Sequence, residues 1–143
     1  MVSKLVKYET VEIVLSATQG IFNFPDLPQL RNAQVMAMET YTADMVAGSP
    51  QTGSTPVSLA DAKKIAITLY EGSKQTVDKM PLVNFNRNQS STTSSFNRDQ
   101  MLFDGQVFSW TKCQVQVLNG QTVTANTVVS FGIYYIPGAD LGY

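Results

Sequence analysis

Of the side chains able to carry protons or covalent intermediates, the 143 residues hold eleven carboxylates, one thiol and no histidine. Without histidine the commonest general base and the commonest zinc ligand are both missing. The catalytic device left is a pair of carboxylates of the kind that cleaves glycosidic bonds, one protonating the leaving group while the other attacks or activates water. Most of the acids fall at turns or beside polar neighbours, where a solvated carboxylate is the ordinary state. Glu39 is the exception, set with Tyr41 in an apolar-leaning strand. It could serve a hydrolase as a lone acid, or pair with Arg31 or a lysine. Cys113 would need a neighbouring imidazole or cation to become a nucleophile. In "CQVQV" it shares a strand face with Val115 and Val117, the setting of a buried, inert thiol. No Asp-Xaa-Asp run has calcium-ligand spacing, and the glycines form no phosphate-cradling loop. The expectation is a protein without catalytic residues, cofactor or metal.

Binding chemistry is better supplied. Residues 85–89 and 96–100 both read Phe-Asn-Arg-Xaa-Gln, on either side of "SSTTSS". Phe85 and Phe96 could anchor the two roots of this stretch, while Arg87 and Arg98 present guanidinium forks. These four are the interaction candidates, with a contact surface rather than a reaction centre as their role. Phe108 with Trp110, or Tyr134 and Tyr135, could stack on sugar rings. Core packing is the competing role for Phe108, Trp110, Phe131 and Tyr135.

Composition narrows the partners. Charged residues make up 15% of the chain and the net charge is −1, with only Lys63 and Lys64 adjacent among the basic residues. That leaves no basic face for nucleic acid. Polarity comes from Ser, Thr, Asn and Gln, whose hydrogen bonds are directional and short-ranged. No run approaches the roughly 18 apolar residues of a membrane span. The opening "MVSKLVKYETVEIVLS" has no continuous apolar core of a signal peptide, so synthesis in a cytoplasm is expected.

The elements that must position these residues repeat with a period of two. In "YETVEIVLS", Val11, Ile13 and Leu15 alternate with Thr10 and Glu12. "AQVMAMETYTA" sets Val35, Ala37 and Tyr41 against Met36 and Met38, apolar on both faces. "GIFNFPDLPQL" must bend at its prolines, tucking Ile21, Phe22 and Phe24 under a sheet edge. "SLADAKK" opens one helical turn with Ser58 as N-cap and Asp61 in the first turn. Ile65, Ile67 and Leu69 then point inward, and "EGSK" turns the chain into "QTVDKMP". Turns are expected at Asp104-Gly105 and Asn119-Gly120, with "QVFSW", "KCQVQVL" and "QTVTAN" as strands between and after them. Finally, "TVVSFGIYYIP" puts Val129, Phe131, Ile133 and Tyr135 on one face and Val128, Tyr134 and Ile136 on the other. Such a strand belongs at the centre of a sheet or against another chain. About eight strands point to a sandwich or a closed barrel, and the mixture of tight turns with long loops favours, of these, an all-β antiparallel sandwich of jelly-roll type, one domain over residues 1–143.

The segments "AITLYEGSKQTVDKMPLVNF" and "TVVSFGIYYIPG" give the chain a resemblance, by pattern, to single jelly-roll capsid proteins of tailless, icosahedral, membrane-containing bacterial viruses. It covers about residues 8–137. The nearest types are the vertex (penton) proteins and the jelly-roll units of the major capsid proteins. Major capsid proteins of that lineage usually join two jelly rolls, and this chain has room for one, which favours a vertex or minor role. The resemblance implies two four-stranded sheets, a ring-like homo-oligomer (a pentamer among its forms), contact with neighbouring capsid proteins and a place in the virion. The alternative from another class is a carbohydrate-binding β-sandwich module using exposed aromatics.

Six consecutive hydroxyl residues bury too little apolar surface to offset about 1–2 kcal/mol of backbone ordering per residue. The expected centre of the Ser/Thr stretch is therefore mobile, with fixed phenylalanines at its roots. Replacing residues 90–95 by a Gly-Ser linker should change unfolding free energy by less than about 1 kcal/mol. Phe96→Ala should cost about 2–4 kcal/mol in the same urea titration; a silent Phe96→Ala, or a linker swap that unfolds the protein, contradicts this reading.

Overall fold

The computed structural model describes residues 5–41, 56–84, 87–89, 96–98 and 101–138. Alternation produces strands where it was strongest. In β1 (Lys7–Leu15) the side chains of Val11, Ile13 and Leu15 are buried while Glu12 and Val14 face out. β4 (Ile65–Glu71) buries Ile65, Ile67 and Leu69 and turns at Gly72 into β5 (Lys74–Pro81). β10 (Thr127–Ile136) is buried along almost its whole length. The remaining strands are β2 (Ile21–Asn23), β3 (Gln34–Tyr41), β6 (Arg87–Gln89), β7 (Phe96–Arg98), β8 (Met101–Gln106) and β9 (Gln114–Val117).

Two four-stranded sheets form the sandwich, ordered β1-β10-β3-β8 and β2-β9-β4-β5, and β6-β7 is a separate ribbon. Every pairing between these strands is antiparallel, and the pairs are nested: β4 with β5, β3 with β8, β2 with β9, β1 with β10. The chain is thus one long hairpin whose arms coil around a common core. Two further ladders, β10–β3 and β9–β4, close the coil into the sheets. This is the jelly-roll path. The ribbon is inserted between β5 and β8, on the returning arm.

Both inner faces meet in one hydrophobic cluster. A chain of aromatic rings runs through it: Phe131 on β10 to Phe24 at 5.3 Å, Phe24 to Trp110 at 5.6 Å, Trp110 to Phe108 at 5.5 Å and Phe108 to Phe103 at 5.0 Å. Their offset and edge contacts add to the burial itself.

Several expectations require correction. On β3 the inward residues are Val35 and Met38, not Val35 and Ala37. Val35 pairs with Tyr135 and Ala37 with Tyr134, so Met36 is an extra residue and the alternation changes phase. Asp104-Gly105 does not reverse the chain. It lies within β8, where Gly105 at φ +76° sits in a register irregularity opposite β3. The same left-handed conformation serves a bulge as well as a turn. Residues 107–109 leave the sheet and cross the β4–β5 turn: Ser109 N–H donates to Tyr70 O (2.8 Å) and Gly72 N–H to Ser109 Oγ (2.9 Å). Ile21 is exposed on β2 rather than tucked under an edge, whereas Phe24 is buried.

The Asn119-Gly120 turn is present, but residues 121–126 form no strand. Side chains hold that segment instead. Ser58 Oγ accepts the Asp61 N–H at 3.1 Å, capping the single-turn helix α1 (Leu59–Ala62). The Asp61 carboxylate, nearly buried, accepts the Thr124 N–H at 3.0 Å and lies 3.6 Å from Lys64 Nζ, which donates to Thr122 O. Asp61→Ala removes the charged acceptor of this part-buried hydrogen bond, and should cost about 1.5–3 kcal/mol in urea unfolding. Ser58→Ala removes only the cap and should cost about 1 kcal/mol. Equal, negligible costs would show that the strap does not depend on this carboxylate.

Candidate interaction surface

The two halves of the Phe-Asn-Arg-Xaa-Gln repeat come together. Arg87 pairs with Arg98, Asn88 with Asn97 and Gln89 with Phe96 in the β6–β7 ribbon, which lies beside β3. Residues 87–89 and 96–98 therefore form a two-stranded ladder. Antiparallel pairing of the two copies thus sets arginine opposite arginine and asparagine opposite asparagine, while glutamine faces phenylalanine. Phe85 and the hydroxyl run at residues 90–95 lie outside the described residues.

Glu39 stands on the outer face of the first sheet yet is only 1% exposed. Tyr8 and Tyr134 pack edge to face at 4.8 Å above it, their hydroxyls 3.4 and 3.5 Å from Glu39 Oε1. Arg31, one of its expected partners, instead pairs with Asp26. Among the described residues no group of three or more potential ligands could hold a metal ion.

The aromatics weighed as a sugar platform are mostly interior. Phe108, Trp110, Phe131 and Tyr135 are buried in the core, and Tyr134 is half-buried against Tyr8. Trp110 borders an open cleft of about 590 Å³ with Arg31, Asn32 and Lys112 at its rim. Its buried indole N–H has no partner among the described residues, but the ring is buried, with Phe24 tilted against it and Phe108 edge-on, and is not open to a sugar.

Apolar surface is exposed in a specific place. On one lateral side, Leu5, Val6, Tyr8, Val14 and Ile21 lie on or next to the edge strands β1 and β2. On the opposite side, Leu102 lies on edge strand β8 and Val107 follows it. Among the described residues no large hydrophobic side chain of the inner strands β10, β3, β9 or β4 is exposed. The twice-apolar β3 and β10 do not supply this surface. The fold uses their second faces itself, covering Val128, Ser130 and Ala37. Alternation alone could not separate an apolar residue on an edge from one on an inner strand.

No family model, curated protein or solved structure matches the chain.

Cys113 is fully buried, its thiol donating to Ser109 O at 3.4 Å. Burial pushes its pKa up from 9.0 to about 11, opposed in part by a backbone hydrogen bond from Tyr70. The thiolate is therefore disfavoured at neutral pH. Because the folded state holds this proton more tightly than the unfolded chain, the associated stability is complete below about pH 9 and is lost as pH rises towards 11. Two units correspond to a loss on the order of 2–3 kcal/mol. Burial and then the Glu9 carboxylate raise Tyr135 in the same direction. Urea melts of wild type and Cys113→Ala at about pH 8 and about pH 10.5 should show a smaller alkaline loss in the variant. Identical losses would contradict the buried-thiol account, as would rapid reaction of the native thiol with Ellman's reagent.

Proposed function

We propose that this protein is a structural component of a virus particle, a capsid building block of vertex (penton) or minor type. It acts by symmetric self-association and by contact with neighbouring capsid proteins, without catalysis or a cofactor. The observation that carries this reading is the nested, antiparallel jelly-roll path of the chain. Double-sheet jelly rolls recur in viral capsids, and also in lectins and cupins. The support is thus at the level of fold, and the side chains decide between its uses.

A lectin-like module would need rings open to a sugar, and Phe108 and Trp110 are buried. A capsid unit needs apolar surface reserved for other subunits, and the lateral edges expose it. The protein is made in the host cytoplasm on this reading and ends in the virion, with no nucleic acid among its partners. Native mass spectrometry and light scattering of the purified chain should reveal a closed ring whose population rises with concentration. A strictly monomeric protein at high concentration, absent from particle extracts, would overturn the proposal; so would glycan-array binding abolished by Trp110→Ala in a folded variant.

A further inference from the structure

The two exposed lateral edges match each other. Three antiparallel steps separate β1 from β8 across the first sheet, so these edge strands run in opposite directions. They also stand at the same height. Tyr8 pairs with Tyr134, Tyr134 with Ala37 and Ala37 with Leu102, so Tyr8 and Leu102 end one cross-sheet row. The neighbouring row begins at Lys7 and passes through Tyr135 and Val35 to Gln106. Asp104 lies between these two rows on β8. One position further out, Val6 precedes Lys7 and Val107 follows Gln106.

Each edge thus offers an exposed hydrophobic, a charge and a second hydrophobic in corresponding order: Val6, Lys7 and Tyr8 on one side, Val107, Asp104 and Leu102 on the other. The charges are opposite. Among the described residues, neither Lys7 nor Asp104 forms an ion pair within the chain. Unpaired edge strands are templates for association, and these two carry exposed apolar side chains beside their charges.

We propose that the occupant of the β1 edge is the β8 edge of a second copy of this chain. Copies related by rotation about an axis along the strands stand side by side with their heights preserved. Leu102 and Val107 of one then meet Tyr8 and Val6 of the next, and Asp104 meets Lys7. The contact is heterologous, because each copy uses both edges on different neighbours, and such contacts close into rings. The inference rests on the capsid reading and names the surface that would build the ring.

The test is sedimentation velocity with native mass spectrometry on the full chain and four variants: Leu102→Lys, Lys7→Asp, Asp104→Lys and the double exchange Lys7→Asp/Asp104→Lys. Leu102→Lys should raise the concentration at half-assembly by roughly tenfold or more. Each single charge reversal should weaken assembly, and the double exchange should recover it, with melting temperatures of all variants near wild type. Assembly that persists unchanged in Leu102→Lys, or a double exchange no better than the singles, would overturn the edge contact while leaving self-association in place. A wild-type chain that never assembles would overturn both the contact and the capsid reading.

Discussion

A strand buried on both faces has no water with which to satisfy its backbone, so its amides and carbonyls must find partners in the strands beside it. β10 is that strand here. Its residues 127–135 pair with β1 on one side and its residues 130–136 with β3 on the other. Meeting this requirement brings together segments more than a hundred residues apart, since Lys7 lies opposite Tyr135. Once the ends of the chain are joined in this way, the nested pairs between them follow as the arms of one coiled hairpin. The second sheet then covers Phe131, Ile133 and Val129 and completes the core.

That arrangement also separates surface from interior. Inner strands consume their apolar side chains within the chain, leaving exposed hydrophobics to the flanks. A sandwich has edges by construction, and natural sheets usually blunt them with charge, proline or bulges. β5 follows the rule, with Lys74, Asp78 and Lys79 along it and Pro81 at its end. β1 and β8 also carry charges, and β8 a bulge, yet they expose Tyr8, Val14 and Leu102 as well. This contrast between edges of one molecule is what the proposed contact rests on.

Much of this was readable in the residues. The period-two patterns of β1, β4 and β10 gave their inward faces because nothing interrupts alternation there. The Ser58–Asp61 cap could be read because its hydrogen bond is local. Legibility ended where a local pattern has two outcomes. A glycine at positive φ can reverse a chain, as Gly120 does, or bulge a strand, as Gly105 does, and neighbouring residues do not distinguish the two. The phase change at Met36 is likewise set by the pairing of β10. Residues 121–126 read as a strand, yet are held by Asp61 and Lys64, about sixty positions away. The ribbon escaped because a polar repeat has no hydrophobic period, although the repetition itself was the available signal.

The central claim is that β10 holds the fold within one chain while β1 and β8 are reserved for contact between chains. Amide hydrogen exchange on the same protein at dilute and concentrated conditions separates the two roles. The β10 amides should be the slowest at both concentrations, and those of β1 and β8 should slow only in the concentrated sample. Edge amides that exchange at one rate regardless of concentration, or β10 amides that gain protection only on association, would contradict this division between fold and contact.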